Sequence, residues 1–148
     1  MSATTSRVPQ FKADLLAAIR AKVAGVQAEY AWPGPNTKPE SIYFGEAVTG
    51  TSIVPSMRSG RVARQEDYTV TVVAWVYQPA SNPLAAAAAE ARAFELMAAV
   101  EDVLADDPAF SERVQWATAA DFKSELLPYE KGWAVELTRS VDIQDRLN

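Results

Sequence analysis

Asp67-Tyr-Thr-Val-Thr-Val-Val-Ala-Trp-Val-Tyr77 is the stretch from which the fold can be read. In an extended chain, Tyr68, Val70, Val72, Ala74 and Val76 share one side, and Thr69, Thr71, Val73, Trp75 and Tyr77 share the other. One side is wholly apolar and the other is mixed. This pattern predicts a central strand that packs on helices below and meets solvent or a partner above.

The flanks supply those helices. After the turn Gln78-Pro-Ala-Ser-Asn82, Asn82 is placed to cap a helix with Pro83 at its first position. The helix is expected to run to about Ala105, roughly 35 Å at 1.5 Å per residue. Ala89, Ala93, Leu96, Met97, Val100 and Leu104 form its inner stripe, and Arg92, Glu95, Ala99, Asp102 and Asp106 the opposite face. The alanines at its start allow close approach to a sheet. A first helix is expected from Pro9 to about Ala24, with Phe11, Leu15, Ile19 and Val23 at four-residue spacing and Gly25 as its stop.

Further strands are expected at residues 26–32 and at Ser41 to about Val48, separated by the turn-rich Trp32-Pro-Gly-Pro-Asn-Thr-Lys-Pro39. Beyond Asp106-Asp-Pro108, Val114 and Trp116 mark a strand, and Phe122 to Leu127 is its continuation or another. After the turn Pro128-Tyr-Glu-Lys-Gly132, Trp133, Val135, Leu137, Arg139, Val141 and Ile143 alternate through a last strand. Residues 1–7 are polar and expected to be mobile. Residues 49–65 are rich in turn formers and read as a long loop between strands, with an extended hairpin as the alternative. Short turns imply antiparallel pairing. The expectation is one α+β domain over 1–148, a two-layer sandwich in which two amphipathic helices cover one face of a mainly antiparallel sheet of four to six strands.

Composition narrows the function. The chain has no histidine and no cysteine. This removes Ser-His-Asp and Cys-His catalysis, thiolate zinc sites and disulfides, and it argues against an enzyme. A net charge of −5 is a poor basis for wrapping DNA. The polar start leads into no apolar run, so no signal peptide is expected, and Glu90, Arg92 and Glu95 interrupt the alanine-rich stretch, which is not a membrane span. No glycine-rich phosphate loop occurs. No catalytic, cofactor-binding or metal-ligating residue is assigned.

Three groups are candidates for contact. Arg58, Arg61 and Arg64, with apolar Met57 and Val62 among them, read either as a docking arm for an acidic surface or nucleic acid, or as a solvated loop. Glu95, Asp102 and Asp106, with Glu101 nearby, read either as a DNA-repelling channel lining or as an ordinary solvated helix face. Spacing along one exposed face does not make a metal cage. Trp75, Tyr77, Trp116 and Trp133 are expected in the core or at a subunit interface, with a ligand-binding role as the alternative.

Taken together, Phe11-Lys-Ala-Asp-Leu-Leu-Ala-Ala-Ile19, Arg64-Gln-Glu-Asp-Tyr68 leading into Thr69-Val-Thr-Val-Val73, the alanine-rich helix entering Val100-Glu-Asp-Val-Leu-Ala-Asp-Asp-Pro108, and the alternating last strand resemble the tail terminator (tail completion) proteins of long-tailed phages. The likeness spans residues 8 to 146 and is one of pattern and layout, without a catalytic motif. It implies a virion protein made in the host cytoplasm that forms a homo-oligomeric ring, usually hexameric. Such a ring caps the tail tube, stops its polymerisation and offers a surface to the head-side connector, with DNA passing through the lumen unbound. Another head–tail joining protein, or a small peptide- or ligand-binding module, is the alternative.

Overall fold

The central apolar strand is longer than its sequence pattern suggests, and it organises everything else. The computed structural model describes residues 6–58, 61–107 and 116–147, with side chains except those of 53–58, 61–64 and 146–147. The elements are α1 (Val8–Lys22), β1 (Gln27–Glu29), β2 (Glu40–Phe44), β3 (Thr49–Arg58), β4 (Arg61–Gln78), α2 (Pro83–Asp106), β5 (Trp116–Tyr129) and β6 (Gly132–Leu147), with a 3-10 turn at Gly34–Asn36. Residues 1–5 and Val114 lie outside the described residues, and with them part of the expected mobile segment and the expected start of β5.

The sheet order is β1-β2-β4-β6-β5, and β3 pairs with β4 as well. On one side of β4, β2 pairs with Val72–Val76 and β3 with Arg61–Thr69. On its other side β6 follows it from Arg64 to Gln78. Pairing is antiparallel except between β1 and β2, which run parallel. The expectation from short turns fails there because residues 30–39 are long enough to carry the chain back to the start of a parallel neighbour.

Both helices lie on one face, giving the expected α+β two-layer architecture. Phe11, Leu15 and Ile19 of α1 and Ala89, Ala93, Leu96, Met97, Val100 and Leu104 of α2 join Tyr68, Val70, Val72, Ala74 and Val76 of β4 and Val135, Leu137, Val141 and Ile143 of β6 in one core. Asn82 caps α2, its Oδ1 accepting from the Ala85 N–H at 2.9 Å. Arg20 fixes α1 to β1 by donating from Nε and Nη2 to the Ala28 carbonyl at 3.0 and 2.7 Å. Lys12, though charged, is buried, with its ammonium over the Tyr30 and Phe44 rings at 5.1 and 5.6 Å.

Two expectations need correction. Residues 49–58 and 61–65 form strands rather than a long loop: β3 and the start of β4 make the extended hairpin of the alternative reading, with Met57 opposite Val62 and Arg58 opposite Arg61. Their turn formers serve the hairpin. Pro55 falls where the register shifts between Ile53 and Ser56, and a Cβ on Gly50 would sit 2.9 Å from Tyr68 Cβ. In the N-terminal segment expected to be mobile, Ser6 and Arg7 are held: Ser6 Oγ donates to Glu66 at 2.6 Å, and Arg7 Nε lies 3.6 Å from the Asp145 carboxylate.

Candidate assembly surfaces

Among the described residues, no helix lies on the second face of the sheet. Alternation along β4 places Thr69, Thr71, Val73, Trp75 and Tyr77 there, and register places Asp142, Ser140, Thr138, Glu136 and Ala134 of β6 beside them. The middle of this face is polar, with Thr69 Oγ1 donating to Asp142 at 2.8 Å. One end is aromatic. Trp32, Tyr43, Trp75, Tyr77 and Tyr129 line a groove of about 590 Å³ with Glu46, Glu130, Glu136 and Lys38. The Tyr129 ring stands edge-on to Trp75 at 5.3 Å and to Tyr77 at 5.5 Å.

The loop wall of this groove is held in place from beneath. The Gln27 carboxamide accepts from the Lys38 N–H at 2.8 Å and lies 2.8 Å from the Ser41 hydroxyl. Its Nε2 donates to the Asn36 carbonyl at 3.3 Å, and the Tyr77 N–H donates to the Pro39 carbonyl at 2.8 Å. The groove is thus built before anything enters it, so little ordering entropy remains to be lost on contact.

Its electrostatics are one-sided. Three carboxylates face one ammonium, and among the described residues Glu46, Glu130 and Glu136 make no ion pair. Burial, with the Glu136 charge adding to it, pushes the Tyr43 phenol up to about 12. Glu136 also stands directly opposite Glu125, whose carboxylate is paired with Lys123 at 2.8 Å. Like charges at directly opposed strand positions repel. Glu130 holds a left-handed backbone, φ 51°, in the β5–β6 turn.

The aromatic residues singled out from sequence are not core. Trp75, Tyr77 and Trp133 are half-buried and Trp116 is exposed. Trp75 and Tyr77 belong to the groove, whereas Trp116 sits on β5 with its Nε1 donating to Gln144 Oε1, and Trp133 donates to the Ser81 carbonyl at 3.2 Å. Sequence reasoning missed Trp32, Tyr43 and Tyr129 as their companions. The available signal was Tyr43, an aromatic residue opposite the buried Ile42 and Phe44 on its strand. β5 closes one end of the sheet order and exposes Trp116, Phe122, Leu126, Leu127 and Tyr129. Its register shift between Ala119 and Phe122, together with Lys123, blunts this edge.

Arg58, Arg61 and Arg64 lie on the β3–β4 hairpin, and their side chains, with those of Met57 and Val62, are outside the described residues. Glu95, Asp102 and Asp106 are exposed on α2, in the helical layer on the other side of the sheet from the groove. Two of them are partly neutralised: Glu95 pairs with Arg92 at 2.8 Å and Asp106 with Lys22 at 3.9 Å. Glu101 pairs with Arg139 at 3.3 Å. Among the described residues, no group of three or more carboxylates is arranged to hold a metal, and no helix is long and apolar enough to cross a membrane. No protein-family model matches the chain, and no curated protein is significantly similar to it.

Proposed function

We propose that the chain is a structural assembly protein of the tail-terminator kind, a ring subunit that caps a phage tail tube, ends its polymerisation and joins it to the head-side connector. The observation that carries this reading is the one-sided sheet. A single helical layer buries one face, while the other presents a preformed aromatic groove and the sheet extends into a hairpin whose first strand, β3, is ten residues long. A ring subunit needs two unlike patches, because neighbours in a ring meet head-to-tail. The pattern likeness to tail terminators supplies the biological setting, the hexameric expectation and the virion location. In such a ring Glu95, Asp102 and Asp106 are the candidates for the DNA-repelling lumen, and the Arg58, Arg61 and Arg64 hairpin is the candidate docking arm. The reading requires no catalytic residue and no cofactor.

The test is tail assembly with Arg58, Arg61 and Arg64 changed together to Ser. The expected result is a folded protein, by circular dichroism and melting, that leaves tails unfinished or overlong. Normal tails from this variant would overturn the reading. Tails of normal length that fail to join heads would instead favour another neck protein. A second reading, a peptide- or ligand-binding module, is favoured by the groove itself, whose volume falls in the range of small-ligand sites. Saturable calorimetric binding of a peptide by a strictly monomeric protein would support it.

A further inference from the structure

The aromatic, acidic groove and the β3–β4 hairpin carry opposite charge. Between Ala47 and Gln65 the sequence holds Arg58, Arg61 and Arg64 and no acidic residue. Arg58 and Arg61 occupy directly opposed register positions on β3 and β4, so the hairpin concentrates positive charge in sequence and register. The groove carries the opposite sign, with Glu46, Glu130 and Glu136 against the one ammonium of Lys38 beside the Trp32, Tyr43, Trp75, Tyr77 and Tyr129 rings. Guanidinium groups stack on aromatic faces and pair with carboxylates in forked geometry, so this lining suits arginine. Each patch holds the charge that the other lacks.

The two patches cannot meet within one chain. Arg61 opens β4 and Trp75 lies near its other end, about 46 Å away at 3.3 Å per residue. The strand between them is continuous and paired with β6 from Arg64 onward, so it cannot fold back on itself. Contact therefore requires a second molecule.

We propose that the groove receives the arginine-bearing β3–β4 hairpin of a second copy of this chain, whose own groove receives the next. Because hairpin and groove are different patches, the contact is heterologous and propagates until it closes into a ring. This inference deepens the ring reading above and rests on its head-to-tail premise. Its test reads self-association alone, so its failure is distinguishable from a failure of tube capping, which is read by tail length.

The experiment uses two charge reversals of the full chain, a hairpin variant (Arg58→Glu, Arg61→Glu, Arg64→Glu) and a groove variant (Glu46→Arg, Glu130→Arg, Glu136→Arg). Mass is followed by light scattering and sedimentation over a concentration series, with circular dichroism to establish folding. Wild-type protein is expected to associate, and each variant alone to dissociate with a constant raised by about 100-fold or more. Mixing the two variants should restore assembly, because every hairpin then meets a groove of opposite sign. A milder groove variant (Glu46→Gln, Glu130→Gln, Glu136→Gln), expected to weaken association without reversing it, serves if the arginine version fails to fold. Wild-type protein that stays monomeric at every soluble concentration overturns the proposal. So do variants that assemble as well as wild type, or a mixture that stays monomeric. A monomeric wild-type protein that binds a peptide of residues 57–65 would assign the groove to a different basic partner and equally overturn a second copy as its occupant.

Discussion

Arg92 of α2 holds Glu40 of β2 in a two-pronged ion pair, Nε to Oε2 at 3.1 Å and Nη2 to Oε1 at 3.0 Å. It is a polar clasp between the helical layer and the sheet, near the edge formed by β1 and β2. Both side chains are about one-third exposed, so solvent screens the attraction. A double-mutant cycle with Arg92→Ala and Glu40→Ala should give a coupling of about 1 kcal/mol, at the upper end for such pairs because the geometry is forked. Denaturant melts in 1 M salt should shrink it. A coupling indistinguishable from zero at low salt would mean that the clasp contributes nothing.

Gly132 begins β6 where no side chain fits. A Cβ there would lie 1.9 Å from the Gln78 carbonyl oxygen and 2.9 Å from Pro79 Cα, both backbone atoms that cannot swing aside. Gly132→Ala should destabilise the protein by about 3 kcal/mol or more, by the overpacking mechanism in its severe form. Chemical denaturation checks this, with Lys131→Ala one residue away as the near-neutral control.

The small residues of α2 set its distance from the sheet. Ala89 and Ala93 are fully buried, whereas Ala87 and Ala88 are exposed. Ala93→Leu should cost about 1–3 kcal/mol by overpacking, while Ala88→Leu should change stability by less than about 0.5 kcal/mol. Equal melting midpoints for the two variants would contradict the close packing.

Tyr43 gives a pH signature. Its folded pKa is raised to about 12 from an ordinary 10, by burial first and by Glu136 second. Between these values the folded state keeps a proton that the unfolded chain has lost. The stabilising contribution is therefore fully present below pH 10 and is lost as pH rises toward 12. Tyrosinate absorbance should show a late-ionising component that Tyr43→Phe diminishes by one phenol. Glu136→Gln should lower that component only part of the way, because burial is the larger cause. Tyr68 is raised as well, by burial and then by Asp145, so a late component persists in Tyr43→Phe.

Much of this architecture could be read in the sequence because periodicity reports burial. The apolar side of β4 and the inner stripe of α2 are buried as their spacing predicts. β3 was hidden because Gly50, Pro55 and Ser56 signal turns locally, whereas pairing with β4 is decided by residues far along the chain. The groove was hidden for a related reason. Trp32, Tyr43, Trp75, Tyr129 and Glu136 come from separate segments, and only the sheet register brings them together. Trp75 and Tyr77 stood out as aromatics on a strand, but nothing nearby marked their neighbours.

The position of β6 has a consequence for how the chain is made. The last strand in sequence fills an interior place in the sheet, between β4 and β5, and pairs with β4 across separations as long as Arg64 to Leu147. Until residues 132–147 leave the ribosome, β4 remains an edge with Val70, Val72 and Val76 uncovered on that side. Long-range pairing of this kind is slow to form and exposes sticky edges while it waits. A nascent chain stalled before Gly132 should therefore be captured by chaperones or aggregate, and protection from protease should arrive abruptly once β6 is synthesised.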